Sequence, residues 1–207
     1  MLENYRKTID GVIAQIERVP YLYDNSYIDN RYSTFSDRSN IANLRLGYIV
    51  GSLGHIPSSL LDVGYGDSTF VDIAIKSIPI VYAYDLPTNT TTTLGLRTNV
   101  LNIPVEVVTF FDSLEHFEAI DFVSTLHAKY IVISLPCCNY PNNNEWFESW
   151  KHRKPNEHLF HFNAESLTTF MLRMGYTNLN HTYIEDSIRV DPNNKPNILT
   201  SCFVRTT

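Results

Sequence analysis

The chain has 207 residues and a formal net charge of −6, from 16 Lys and Arg against 22 Asp and Glu; with no basic run, it lacks the electrostatic footprint of a nucleic-acid binder. Hydrophobic residues make up 43% and charged ones 18%, which supports a folded core and excludes a disordered or supercharged chain. The length suits one domain with a sheet covered on both faces, and no stretch reads as a membrane span or signal peptide, so a cytoplasmic address is expected.

In chain order, Tyr5, Ile9, Val12, Ile13 and Ile16 recur at roughly helical intervals and predict an amphipathic helix over residues 3–17, ending near Pro20. The Tyr-, Asp- and Asn-rich stretch that follows, with Tyr27 and Tyr32, has neither periodicity and reads as a loop. Ser36 or Asp37 then caps a helix running to about Leu53. From residue 58 onward strand-like and helix-like segments alternate: SLLDVG, TFVDIAIKS, IPIVYAYD, VEVVTFFD, AIDFVSTLHA and KYIVISLP. Such alternation with continuous apolar strands predicts an α/β fold with a parallel sheet buried on both faces. Between Asp85 and Val105 there is room for a short helix or a short strand, but hardly both. Further on, Asn163 is placed to cap a helix with an apolar stripe of Leu167, Phe170, Met171 and Met174, stopped by Gly175. Two strands, about 181–190 and 198–205, are joined by a connection too short for a helical crossover and should pair antiparallel. Cys137 and Cys138 are adjacent and Cys202 stands alone, which fits reduced, mostly buried thiols better than disulfides or structural zinc.

The stretch SSLLDVGYGDSTFVDIAIKS, residues 58–77, is where this pattern acquires chemistry. A strand, a bend containing Gly64 and Gly66, and a helix follow one another, and the next strand ends on Asp85. Glycines at such a bend let the backbone turn sharply and approach a ligand closely. An acid at the tip of the neighbouring strand can accept both hydroxyls of a ribose. Any strand-to-helix turn favours glycine, yet the combination with Asp62, Asp85 and the surrounding alternation points to a nucleoside site. A dinucleotide site needs a third glycine at position 69, where the residue is Thr69, so that fingerprint is broken and S-adenosylmethionine is favoured over NAD.

With those motifs in place, the sequence resembles the class I S-adenosylmethionine-dependent methyltransferases. LLDVGYGDSTF is similar to that family's first motif, VYAYD to its ribose-binding strand end, and VTFFDSLEHF to the strand-four signature of a small-molecule branch with a D-x-L-E-H motif. EHLFHFNAESLTTFMLRMGY resembles the segment that follows strand five, so the likeness runs over residues 58–176. The resemblance implies a Rossmann-like methyltransferase fold: a mostly parallel seven-stranded sheet, an antiparallel C-terminal strand, and helices on both faces. It also implies a single domain, 1–207, with 1–57 as a helical cap and lid and 58–207 as the cofactor-binding core. Two departures are evident: Ser68 stands where the family often has a further glycine, and the adenine-contacting residue after strand three has only Asn102 as a candidate.

By the same resemblance Gly64, Tyr65 and Gly66 lie along the cofactor with Asp62 in the same motif, Asp85 holds the ribose, Leu86 packs on adenine, and Asp112 with Ser113 borders the methionine part. Tyr65, Tyr27 and Tyr32 are further candidates to face the sulfonium or close over it, with ordinary packing as the competing explanation. For a hydroxyl acceptor, His116 and His158 are the candidate catalytic bases, because imidazole titrates near neutrality. The neighbouring His152, His158 and His161, with Cys137, Cys138 or Glu157, match no zinc spacing, so no metal is expected. Trp146 and Trp150 fit either an acceptor cap or plain helix packing. The expected activity is methyl transfer to a small molecule such as a sugar or another metabolite, without nucleic-acid or membrane partners. A non-catalytic binding protein and a nicotinamide-dependent oxidoreductase are the alternatives.

Overall fold

The computed structural model describes residues 3–21, 35–86, 89, 91–140, 142–193 and 195–206. Tyr27 and Tyr32 lie outside these residues. The central sheet is built from β3 (Ser59–Val63), β4 (Ile80–Tyr84), β5 (Leu96–Thr98), β6 (Val105–Phe111), β7 (Ala128–Pro136), β9 (Tyr176–Thr182) and β10 (Ile198–Arg205), in the order β5-β4-β3-β6-β7-β10-β9. The first five strands are mutually parallel, and β10 runs antiparallel to both β7 and β9. This is the predicted seven-stranded, Rossmann-like arrangement with its last strand reversed.

Alternation along each strand explains why the central strands read as mainly apolar on both faces. Leu60 and Leu61 point to opposite faces, and both are fully buried. On one face Leu61, Val63, Val108, Phe110, Ile131 and Ile133 pack against α4 (Ala164–Arg173) through Leu167, Phe170 and Met171. On the other, Leu60, Val81, Val107 and Val132 pack with Phe70 and Val71 of α2 (Thr69–Ala74) and Ile49 of α1 (Phe35–Leu53). The cap of α4 forms as read from the sequence: Asn163 Oδ1 accepts from Ser166 N at 2.8 Å, and Ser166 Oγ accepts from Asn163 N at 3.0 Å. Gly175 ends the helix with φ +88°.

The expected N-terminal helix is not formed. Residues 3–17 instead make a hairpin of β1 (Tyr5–Lys7) and β2 (Ile13–Gln15), and β2 also pairs with β8 (Phe160–His161). The reason is the Asp10-Gly11 pair: Gly11 takes φ +82° and its N–H donates to Thr8 O at 3.0 Å, a turn that no helix accommodates. Arg173 then anchors Asp10 through its guanidinium at 2.7 Å. Tyr5, Val12 and Ile13 are buried as the pattern suggested, but Ile9 is 94% exposed at the turn.

Three other expectations shift. AIDFVSTLHA yields only a 3₁₀ turn over Asp121–Thr125, and its buried residues Ile120, Val123 and Leu126 recur every third position, matching that tighter helix. The penultimate strand lies at 176–182 rather than 181–190, because Ile184–Ser187 curls into a 3₁₀ turn that takes Glu185 into the interior. Between Asp85 and Val105, β5 is the one regular element among the described residues.

Candidate functional site

β3 ends at Val63 and α2 starts at Thr69, so the chain turns over Gly64–Ser68 at the carboxyl ends of the parallel strands. Gly64 and Gly66 both have positive φ, +83° and +54°. A Cβ added at Gly64 would sit 2.6 Å from Ser113 Cβ, which makes glycine a requirement at that position. Ser113, just past β6, donates from Oγ to Val63 O at 2.6 Å and so pins the loop after β6 against the bend. Ser68 also has positive φ, +68°, which is the physical reason a glycine suits that position; its hydroxyl compensates by donating to Asp72 at 2.8 Å.

Asp85 lies over this bend. Gly66 N donates to Asp85 Oδ2 at 2.9 Å, and Leu86 N to Oδ1 at 2.8 Å. A residue the sequence reading missed completes the arrangement: Asn89 Nδ2 donates to both Asp85 Oδ2 and Gly66 O, at 2.8 and 2.9 Å. Asn89 is itself held, its side-chain oxygen accepting from Thr91 N and its carbonyl from Arg97. It sits in the polar tract TNTTTT, which composition marks only as a loop; the available signal is the ability of an Asn amide to bridge backbone and side chain.

The other predicted residues divide. Asp62 is buried beneath the bend and accepts from Thr109 Oγ1 at 2.6 Å; burial pushes its carboxyl up to about 7. Leu86 is 46% exposed and free to lie against a planar ring. Tyr65 is corrected in one respect: its ring is buried among Ile49, Phe70 and Val71 and its hydroxyl donates to Thr91 O at 3.0 Å, so only its backbone borders the bend. Asn102 is exposed in the turn leading into the start of β6, at the end of the sheet opposite the bend.

His116 and His158, 42 residues apart in sequence, come together with their ring centroids 4.7 Å apart at 76°. Glu115 joins them, with its Oε1 3.8 Å from His116 Nε2. The two segments are tied by a backbone hydrogen bond from Leu159 N to Glu115 O at 2.8 Å. His158 and Glu115 are buried while His116 is partly exposed. His152 is drawn elsewhere, bonding to Asn197 Oδ1 at 2.8 Å, and burial lowers its pKa to about 4. His161 is buried among Tyr5, Phe147 and Trp150, and burial lowers it to about 3.

The chain matches the family described as "Methyltransferase domain" over residues 52–181, more than half its length. The chain belongs to that family. It is an S-adenosylmethionine-dependent methyltransferase. Solved structures agree in fold. A Burkholderia thailandensis 1,6-didemethyltoxoflavin-N1-methyltransferase with bound S-adenosylhomocysteine is 13% identical, with 99% of this chain and 100% of that one covered, TM-score 0.56. A magnesium protoporphyrin IX methyltransferase from Synechocystis PCC 6803, also with S-adenosylhomocysteine, is 10% identical over 91% and 90%, TM-score 0.56. The plantazolicin methyltransferase BpumL is 13% identical over 88% of each chain, TM-score 0.56. No protein of curated function matches in sequence.

Next to the bend, this methyltransferase carries a partly buried ion cluster, centred on Glu185, that the sequence did not announce. Asp112, just past β6, accepts from Arg45 at 2.7 Å and from Arg189 at 2.9 Å. Glu185, with no exposed surface, accepts from Arg45 Nε at 2.8 Å, Arg189 at 3.1 Å and Ser134 Oγ at 2.5 Å. Burial alone would raise the Glu185 carboxyl, but Arg45 and Arg189 hold it below the ordinary range. Arg45 also lies 4.5 Å over the Phe111 ring. The methyltransferase's thiols are buried, and burial raises Cys137 to about 11 and Cys138 and Cys202 to about 12, which keeps them protonated. Trp146, in α3 (Asn144–Ser149), and Trp150, just past its end, stack at 5.5 Å and 18°, Trp150 buried with Phe147 and Tyr5. No helix among the described residues is long and apolar enough to cross a membrane.

Proposed function

We propose that this methyltransferase transfers the methyl of S-adenosylmethionine to a small-molecule acceptor, with the nucleoside seated over the Gly64–Gly66 bend. The observation that carries the placement is the contact between Gly66 N and the Asp85 carboxylate at 2.9 Å, which sets an acid over a bend that side chains would block. A carboxylate offers about four acceptor positions, and three are filled here by Gly66, Leu86 and Asn89, so a ribose hydroxyl takes the fourth and competes with the Asn89 amide for another. Leu86 packs on the adenine, Ser113 borders the methionine part, and the Gly64–Gly66 backbone, with that of Tyr65, runs along the cofactor. Asp62 and Asp112 act from behind: the first supports the bend through Thr109, the second fixes the loop after β6 through its arginines.

Methyl transfer from a sulfonium is an in-line displacement, so holding donor and acceptor together supplies about 7–11 kcal/mol of the barrier. His116, three residues beyond Ser113 and paired with His158, stands where an acceptor would approach, and as the more exposed of the two it takes the proton of a hydroxyl acceptor. Residues 1–207 act as one domain, 1–57 closing over the core of 58–207. The net charge of −6 and absence of a basic run favour a small acceptor over nucleic acid, and the relatives named for toxoflavin, porphyrin and plantazolicin substrates agree in kind. Protonated thiols fit the reducing cytoplasm. The test is methyl transfer from labelled S-adenosylmethionine to a panel of hydroxylated, amine and carboxylate metabolites alongside an RNA. Labelled small molecule supports the reading; label in RNA alone sinks it.

A further inference from the structure

We propose that Glu115, His116 and His158 bind a divalent transition-metal ion beside the acceptor position. One ligand atom from each lies within 4.8 Å of the other two. Ligands held at about 2.0–2.2 Å around a tetrahedral ion stand about 3.4 Å from one another, so closing on an ion asks these side chains for shifts of about 1 Å. The backbone beneath them is already fixed: Leu159 N donates to Glu115 O at 2.8 Å, His116 N to Ser113 O at 3.1 Å, and His158 N to Lys154 O at 2.8 Å. Three ligands come from two segments clamped together, so the ordering entropy of gathering them is largely spent on folding.

The donor set selects the kind of ion. Two imidazoles and one carboxylate suit zinc, cobalt, iron or manganese, whereas calcium and magnesium want oxygen alone. Burial sets the geometry of access. Glu115 and His158 form a closed inner wall and His116 the partly exposed rim, which is the pattern of a site with three protein ligands and an open position. Glu157 lies beside His158, its Oε1 3.7 Å from Nε2, beyond hydrogen-bond reach, and 3.0 Å from Lys154 Nζ, which holds the carboxylate.

The use of the site rests on the methyl-transfer reading. The open position takes a hydroxyl oxygen of the acceptor, and coordination lowers that hydroxyl's pKa. The proton passes to solvent, the oxygen forms its bond to the methyl carbon, the carbon–sulfur bond breaks, and the sulfonium's positive charge is cancelled as a neutral thioether leaves. With both imidazoles acting as ligands, the ion replaces His116 as the group that makes the oxygen nucleophilic.

The experiment uses the full untagged chain, stripped with a chelator and titrated calorimetrically with zinc chloride and manganese chloride alone, with visible spectra of the cobalt form. One ion per chain is expected, with micromolar or tighter affinity for zinc. His158→Ala and the near-isosteric Glu115→Gln should each weaken it by about tenfold or more, with unchanged circular dichroism for Glu115→Gln. His55→Ala, which removes the exposed His55–Glu106 pair, should leave it unaltered. No ion uptake, uptake indifferent to both Glu115→Gln and His158→Ala, or uptake lost in His55→Ala would overturn the site; should His158→Ala not fold, Glu115→Gln decides. S-adenosylhomocysteine is titrated on the same samples: if it binds while metal does not, only the metal site falls, whereas failure of the wild type to bind it strikes the methyltransferase placement itself.

Discussion

Replacing Gly64 by alanine tests the bend where its geometry is most constrained. The residue has φ +83°, and a left-handed placement costs a side-chain-bearing residue about 1–2 kcal/mol. Its new Cβ would also meet Ser113 Cβ at 2.6 Å, and overpacking of that kind costs about 1–3 kcal/mol. Gly64→Ala should therefore destabilise the protein by about 2–5 kcal/mol. Ser113→Gly removes the clashing carbon and, with it, the hydrogen bond to Val63 O, a loss of about 1 kcal/mol. In the double variant the overlap is gone and only the backbone strain remains, so urea unfolding should reveal a favourable coupling of about 1–3 kcal/mol between the two positions. Additive effects, within about 0.5 kcal/mol, would show that the bend and the loop after β6 do not touch and would refute this construction of the site.

Two further predictions concern groups beneath the site. The Asp62 carboxyl is raised by burial to about 7, so the folded state keeps a proton that the unfolded chain releases near pH 4. Stability relative to Asp62→Asn is then greatest in acid and lost as pH rises from about 4 to about 7, which melting curves of both proteins across that window will measure. Glu185→Ala leaves the partly buried Arg45 and Arg189 guanidiniums with Asp112 as their remaining shared carboxylate, and should cost about 1.5–3 kcal/mol in chemical denaturation; a loss under about 0.5 kcal/mol would contradict the cluster's geometry.

The sheet was legible because its signals are local. A strand buried on both faces must be mainly apolar, and residues 59–63, 105–111 and 128–136 are, with Asp62, Thr109 and Ser134 as buried polar exceptions that are hydrogen-bonded; a helix cap needs a short polar side chain, and Asn163 supplies it. The bend and its acid were legible for the same reason, since Gly64, Gly66 and Asp85 stand at fixed offsets along two neighbouring strands. The N-terminal segment misled because Tyr5, Val12 and Ile13 are buried in a hairpin as well as they would be in a helix, and the Asp10-Gly11 turn, not the spacing, decides. What composition could not reveal is pairing across distance. Asn89 reaches back 23 residues to Gly66, Glu185 reaches 140 residues back to Arg45, and His158 meets His116 only because β8 and the loop after β6 are packed together.

Calorimetric titration of the wild type and Asp85→Ala with S-adenosylhomocysteine, and of the wild type with NAD, tests the cofactor's seat most directly. The wild type should bind S-adenosylhomocysteine at micromolar concentration, about −8 kcal/mol, and NAD hardly at all. Asp85→Ala should lose about 1–3 kcal/mol of that affinity through the missing ribose hydrogen bonds. Equal affinity in the variant would remove Asp85 from the site, and preference for NAD would contradict the account as a whole.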